Sequence, residues 1–499
     1  MRCYPSRAEY EKLSAQYRVV PVYCELPADL ETPVSLWSKV AQSGMGFLLE
    51  SVEKGERFGR YSFLGVSPHM VIRTKGTQVV VEEQGKPPVI RRAHPLAVLR
   101  ELLRDVSAAP VLDLPFTGGA VGYTGFEVAY LDGKEDLAAG DGLDVYDCVY
   151  MFPEIVYVFD HLYHTIKVIY NSHPKDNPEK EYQEAQLRLE KAVRQVMDSA
   201  CTLPSLSVDR PFDVGQATSS TSPEAFMEAV REVQKAITQG DVEQVVLAQR
   251  LEVPLSVSSF AVYRALRSLN PSSYVFYLDL GDYQLLGSSP ETLVRLQEGK
   301  AEIHPIAGTR PRGATPAEDE AYVRELMKDE KEVAEHQMLV ELGLRELELV
   351  CVPGTVRLEE SMEIIKYSHV MHMVSRITGR LAAGQDQFDL FRTVFPAGTV
   401  SGFPKKRALE LVQRLEPHRR GPYAGAVGYF SYQGSMDQCI TIRSTLCKDG
   451  RAYVYAGAGI VAQSVPEREY QETLHKARAV LVAINHAEQS LLAGRREAR

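Results

Sequence analysis

The chain is poor in features that would announce a ready-made chemistry. Its 499 residues include seven cysteines, at 3, 24, 148, 201, 351, 439 and 447, and none forms a Cys-x-x-Cys pair. An odd, scattered set suits reduced thiols in the cytosol and excludes a disulfide framework. The twelve histidines show no zinc-type spacing. No apolar run approaches membrane-spanning length, the longest candidates being pieces such as Ile155-Val156-Tyr157-Val158-Phe159. The first ten residues lack an apolar core, so no secretory signal is expected. Positive charge is not in excess: the formal net charge of −10 argues against a general nucleic-acid binder and against an anionic membrane surface. No Gly-x-Gly-x-x-Gly, Walker or repeat pattern occurs. A soluble, cytoplasmic protein is expected.

What is present is enough apolar residue, 44%, for a large core. One boundary is legible. Residues 203–221 turn rich in Ser, Thr, Pro and Gly and read as a linker between an N-terminal domain, 1–202, and a second domain, 222–486. Ser222-Pro223 is a plausible helix start, and Phe226, Val230, Val233 and Ile237 continue it until Gly240. In the N-terminal part short alternating runs (residues 18–23, 70–73 and 165–170) suggest antiparallel strands, closed by a charged helix from Asn177 to Ala200. In the second part Glu318 to about Leu349 reads as one long helix, and Pro466 to His486 as another. Cys439–Leu446 and Ala452–Ala456 read as strands around a Lys448-Asp449-Gly450-Arg451 turn. Strands and helices in no regular βαβ order indicate an α+β fold.

Candidate chemistry concentrates in the second half. His304-Pro305-Ile306-Ala307-Gly308-Thr309-Arg310-Pro311-Arg312-Gly313 reads as a strand breaking into a turn, with backbone N–H groups beside two arginines as a seat for a carboxylate ligand. Glu335-His336 places a carboxylate beside an apolar helix stripe, where it needs an ion pair, hydrogen bonds or a metal. A rim salt bridge to Lys328 or Lys331 is the plainer alternative. Glu472 lies off the stripe Tyr470-Leu474-Ala477-Leu481, so periodicity alone leaves it in solvent. Two carboxylates on separate helices, with water and substrate, would nevertheless suit Mg²⁺. Along Ile440–Thr445 strict alternation would put Thr441, Arg443 and Thr445 on one face, either as a carboxylate fork or as a solvated face. Ala456-Gly457-Ala458-Gly459-Ile460 and Pro396–Gly402 offer backbone that a ligand can approach closely.

Residues 222–483 resemble the chorismate-utilising enzyme family. The resemblance rests on residues 240–248, Ser289-Pro290-Glu291, Pro305 to Gly313, Ala334-Glu335-His336, Tyr367 to Ser375, Phe395 to Pro404 and Ala456 to Gly459. It implies antiparallel sheets in a β-sandwich-like core with flanking helices. The water-using relatives carry a lysine where this chain has Gln244, and a neutral amide suits ammonia as nucleophile. The relatives that make aminodeoxychorismate commonly carry a lysine at Ala307. Both positions are similar instead to the branch that turns chorismate and ammonia into anthranilate and pyruvate.

The resemblance then implies roles. Glu335 and Glu472 hold Mg²⁺. Gly308, Thr309, Thr399, Tyr423, Arg443, Gly457, Ala458 and Gly459 line the chorismate site. Glu291 is the general acid, and His372 serves the pyruvate elimination, with His369 as a structural histidine and His336 behind the metal ligand. Leu49, Glu50 and Ser51, with Ser273, Tyr274 and Val275, form a feedback site for tryptophan. No Gly-x-Cys-x-Gly elbow is present, so a separate glutamine amidotransferase subunit is expected, in a heterotetramer of two large and two small subunits. Three departures stand out: residues 341–346 read Glu-Leu-Gly-Leu-Arg-Glu where the family usually has Asp-Leu-Gly-Arg-Asn-Asp, Ser273 and Val275 replace Pro and Met, and His475 replaces Asn. The alternatives are an aminodeoxychorismate-forming enzyme and a tryptophan-binding sensor without turnover.

Overall fold

The computed structural model describes residues 2–41, 44–51, 59–104, 106–131, 143–174, 177–207, 214–366 and 370–497, the side chains only to 491. Two large antiparallel sheets organise these residues. The first runs in the order Val20–Pro27, Thr165–Ser172, Ile155–Asp160, Tyr61–Val66, Gly46–Glu50, Tyr274–Asp279, Gln284–Ser289, Ser444–Lys448, Arg451–Ile460, Gln244–Pro254, Thr218–Ser219. The second begins Ile306–Pro311, Val370–Arg380, Lys300–Ile303, Thr292–Gln297, Met436–Ile440, and continues through Ala426–Ser431, Gly119–Thr124, Cys148–Phe152 and Met70–Lys75. Apolar residues from facing strands, among them Phe47, Phe63, Val121, Met151, Phe276, Val427 and Leu446, fill the space between the sheets. Helices cover the outer faces: Pro178–Asp198, Ser259–Leu269 and Pro466–Glu497 on the first, and Pro95–Arg104 and Gln387–Val394 on the second. This is the α+β, sandwich-like architecture that the strand and helix pattern and the family resemblance led us to expect.

Both sheets cross the boundary expected at 203–221. Gly46–Glu50 pairs with Tyr274–Asp279 in one sheet, and Gly119–Thr124 with Ala426–Ser431 in the other. Hydrogen bonding therefore joins the two stretches of sequence into one structural unit. Thr218–Ser219, inside the expected linker, is itself a short strand on Gln244–Pro254.

Two expected elements divide. The long helix is two, Pro316–Lys328 and Glu330–Glu348. Asp329 ends the first and caps the second, accepting from the Glu332 N–H at 3.3 Å and from Arg310 at 2.8 Å. The expected strand Cys439–Leu446 also breaks. Met436–Ile440 lies in the second sheet and Ser444–Lys448 in the first, and the chain crosses between them at Thr441–Arg443, with Arg443 at φ 50°. The alternation that suggested one strand is real in sequence, but a change of sheet with no Gly or Pro to mark it is invisible to periodicity. The Lys448–Arg451 hairpin is present.

Candidate active site

Two sheet-switching segments lie side by side. One is Pro290-Glu291, between Gln284–Ser289 and Thr292–Gln297; the other is Thr441–Arg443. They are laced together by Ile440 N–H to the Glu291 carbonyl (3.0 Å), Ser288 N–H to the Arg443 carbonyl (3.1 Å) and the Ser289 hydroxyl to the Ile440 carbonyl (2.7 Å). Leaving a ladder frees side chains from the up-and-down alternation of a strand, so both switches can aim an ionisable group at one place. Burial raises the Glu291 carboxyl to about 7, opposed by Thr399, Lys476 and Arg443. The Thr399 hydroxyl favours the charged form of Glu291, yet it is buried without a partner in hydrogen-bond geometry. Burial also depresses the Arg443 guanidinium, opposed by Tyr423, Glu472 and Glu291, and Arg443 donates to the Lys476 carbonyl at 2.8 Å.

The glycine strand Arg451–Ile460 forms the floor. A side chain on Gly459 would meet the Gln244 amide at 2.7 Å and the Glu335 carboxylate at 3.7 Å, and one on Gly457 would lie 3.1 Å from the Tyr423 hydroxyl. Bare backbone here is what lets these groups close on the strand. Ala458 between them is buried. Gln244 donates to Glu335 at 3.1 Å, so Glu335 is not the rim salt bridge that spacing allowed. Glu472 is half-buried and holds the Lys476 ammonium at 2.7 Å, which also donates to the Gly457 carbonyl at 3.1 Å.

Glu335 and Glu472 thus approach the glycine strand from two helices, each with a second carboxylate three residues earlier. Burial and then Glu335 raise Glu332; burial raises Glu469, which also feels Glu472 and Lys331 and keeps one buried oxygen without a hydrogen-bond partner. Among the described residues no three of His, Cys, Asp and Glu are already gathered tightly enough to hold an ion. Carboxylates alone, Glu335 and Glu472 with Glu332 and Glu469 near them, are the donor chemistry that suits a hard cation keeping water and substrate in its shell, as Mg²⁺ does.

His372, on Val370–Arg380, is buried and held down to about 4, chiefly by desolvation. Its Nδ1 lies 3.1 Å from both the Gly308 carbonyl and the Thr309 hydroxyl. A carbonyl can only accept, so Nδ1 carries the proton and the basic lone pair falls on Nε2. The pairing shifts register between Ala307 and Thr309, with Gly308 at φ +67°, and a side chain at Gly308 would strike Leu326 at 2.7 Å. The expected anion seat is not formed by the neighbouring arginines. Arg310 is taken up by Glu325, Asp329 and Glu332, and Arg312 by Asp319: the junction of the two helices claims the first and the acidic first turn of Pro316–Lys328 the second.

His336 is fully buried, bonded to the Ser375 hydroxyl at 2.6 Å and lowered to about 4 by burial, which makes it a tie between helix and sheet. His369 lies outside the described residues. The unusual 341–346 segment supports the site from below. Leu342, Gly343 and Glu346 line a small cavity with Glu291 and Thr399, and the partly buried Glu346 pairs with Lys405 at 2.8 Å. Lys476 escaped the sequence reading, although it had a signal, standing four residues after Glu472; Gln244 was read for its neutral amide, but its grip on Glu335 had no signal.

Leu49, Glu50, Ser51, Ser273, Tyr274 and Val275 all line a separate cavity of about 250 Å³. Its charges are paired: Glu50 is buried and bonded by Arg267 at 2.7 and 2.9 Å and by the Tyr263 hydroxyl, and Asp437 is bonded by Arg295 and Tyr274. Among the described residues the buried Ser51 hydroxyl has no hydrogen-bond partner. Tyr274 also meets Thr292, the residue after Glu291, at 2.9 Å.

A buried acid, a buried guanidinium and a bare glycine strand thus meet where the sheets exchange strands. The chorismate binding enzyme family matches residues 46–482, and the chain belongs to that family. Anthranilate synthase component 1 from Acetivibrio thermocellus is 42% identical over 488 residues, covering 97% of this chain and 99% of the relative. The crystal structure of anthranilate synthase component I from Streptococcus pneumoniae TIGR4 superposes with a TM-score of 0.76 at 33% identity, over 86% of this chain and 93% of that one. The menaquinone-specific isochorismate synthase from Escherichia coli shares the fold, with a TM-score of 0.71 at 20% identity over 96% of this chain and 99% of that one.

Proposed function

We propose that this chain is the synthase component that converts chorismate and ammonia into anthranilate and pyruvate, with Mg²⁺ at Glu335 and Glu472. The carrying observation is that the two sheet switches deliver Glu291 and Arg443 to a glycine floor flanked by both carboxylates, in a chain matching component 1 relatives from end to end. Bound there, Mg²⁺ would neutralise a carboxylate of the substrate. Arg443, Thr309 and the backbone of Gly308 and Gly457–Gly459 would orient chorismate, and Tyr423 would close one side. Ammonia adds at C2, the ring double bonds shift, and the 4-hydroxyl leaves as water with the proton of Glu291, a carboxyl that burial keeps protonated near neutrality. Loss of the C2 proton, for which His372 Nε2 is the base, then expels the enolpyruvyl group as pyruvate and aromatises the ring.

The component 1 name of the relatives implies a second component. A separate amidotransferase subunit supplies ammonia from glutamine, in a heterotetramer of two large and two small subunits. Tryptophan, the feedback ligand, occupies the cavity at Ser51, where an unpartnered hydroxyl awaits a polar group. No helix among the described residues is long and apolar enough to cross a membrane, in keeping with a cytoplasmic enzyme.

The test is product analysis of the purified chain with chorismate, Mg²⁺ and ammonium at alkaline pH. Anthranilate plus pyruvate is the expected result. Accumulation of a non-aromatic aminodeoxychorismate would assign the chain to the other aminating branch, against which Ala307 stands. Absence of turnover with retained tryptophan binding would mark a sensor.

A further inference from the structure

The strand Gln244–Pro254 carries an irregularity at its outer edge. Along one side it is paired continuously with Arg451–Ile460. Along the other it meets Gly402–Phe403 at Gln244–Val245 and Thr218–Ser219 at Leu251–Glu252. Between these, among the described residues, no strand covers the edge. The exposed ladder groups are met instead by an ion pair. Glu416 accepts from the Ala248 N–H at 2.8 Å, and Arg420 donates to the Val246 carbonyl at 2.7 Å. Arg420 also donates to the Val400 carbonyl at 2.6 Å and to Glu416 at 2.8 Å. The pair is almost wholly withdrawn from water, with side chains 1% and 7% exposed.

We propose that Arg420 and Glu416 are positioning residues for catalysis: side chains standing in for a missing length of strand, they clamp the Thr399 turn to the strand that presents Gln244 to Glu335. This rests on the functional reading above. Stability alone does not account for the pair, since apolar residues of similar volume often serve a core equally well or better. What they cannot supply is an acceptor for Ala248 and donors for two carbonyls. Those groups belong to the two elements whose neighbours matter most. Val400 follows Thr399, which faces Glu291, and Val246 lies two residues from Gln244, which holds Glu335. The clamp is itself anchored: the Arg420 and Gly421 N–H groups donate to buried Glu127 at 2.7 and 3.0 Å, and the guanidinium lies 4.3 Å from the Phe126 ring centre.

The experiment compares the full chain with Arg420→Met, the double variant Glu416→Leu/Arg420→Met, and Arg420→Lys. The double variant leaves no orphaned charge but strips the Ala248 N–H and the Val246 and Val400 carbonyls of these partners, so it is expected to fold with a lowered melting temperature that still lies above the assay temperature. Its kcat should nonetheless fall about 100-fold, the order that a small misplacement at a reacting centre costs. The alkaline limb of its pH profile should move upward, because Thr399 no longer favours the charged form of Glu291. Amide exchange should quicken in residues 244–250 and 398–402. A folded double variant with wild-type kcat, pH profile and exchange would overturn the inference. Should that variant not fold, Arg420→Lys decides, since one ammonium cannot reproduce the guanidinium's fork: a shifted pH limb and faster exchange support the clamp, and unchanged values overturn it. The exchange readout needs no turnover, so an inactive wild-type chain would defeat the functional reading while leaving the clamp tested.

Discussion

The catalytic floor and the cavity at Ser51 are neighbours in the fold and handle charge in opposite ways. Consecutive residues serve them: Glu291 belongs to the floor, while Thr292 bonds Tyr274 in the wall of the cavity. On the cavity side the ionisable groups are matched, Glu50 to Arg267 and Asp437 to Arg295. On the floor Glu472 is also matched, to Lys476, but two groups are held away from their ordinary states. Glu291 is pushed up to about 7 and His372 down to about 4, both chiefly by burial. A binding cavity gains rigidity from satisfied pairs, whereas acid–base work needs an acid that can keep its proton near neutral pH, as Glu291 does, and a base that is neutral there, as His372 is. The contrast therefore separates a surface shaped to be filled from one shaped to react.

Removing charge from the floor should have the largest effect. Glu335→Ala or Glu472→Ala is expected to lower Mg²⁺-dependent turnover more than about 1000-fold, the loss of several kcal/mol of transition-state charge stabilisation. The circular dichroism spectrum and melting temperature should stay near wild type. Retained activity in either variant would sink the metal assignment.

Next comes the buried acid. Glu291→Gln should cost roughly 10²–10⁴ in kcat, the usual share of a general acid. In the wild type, with free ammonia held constant, activity should fall as pH rises through about 7, because the carboxyl must be protonated to act. The stability sign is independent of turnover. A folded-state value above the unfolded one gives stability that is full at low pH and lost as pH rises through about 7. Glu291→Gln should therefore melt higher than wild type at pH 8.5 and lose that advantage near pH 4. A variant less stable than wild type at both pH values would contradict the account of Glu291 as a carboxyl held protonated by burial.

The smallest effect on catalysis is expected on the other side of the comparison. Ser51→Phe should fill the cavity and relieve tryptophan inhibition while changing kcat less than about 3-fold, a difference under 1 kcal/mol. Inhibition curves with and without the substitution check this. Unchanged inhibition would place the feedback ligand elsewhere.

Local chemistry was legible wherever it was continuous in sequence. The cap at Ser222, the hairpin at Lys448–Arg451 and the helix after Asn177 each depend on residues a few positions apart, and each is present. The family motifs pointed to Glu291, His372 and Glu335 for a similar reason, being short runs with characteristic residues. Periodicity misplaced what depends on partners distant in the chain. It put Arg443 on a strand face, although the chain there changes sheet. It gave Arg310 and Arg312 to a ligand, although helices from the next segment claim both.

The sequence by itself thus determined the kinds of element, the family and the reactive residue types, because propensity, capping and motif chemistry act over a few residues. The tertiary structure alone decided which groups meet: that two sheet switches lie side by side, that Gln244 reaches Glu335 across 91 positions, and that Arg420 bridges to Val246 across 174. Such contacts form only when strands distant in the chain come into register, and no local pattern encodes that register.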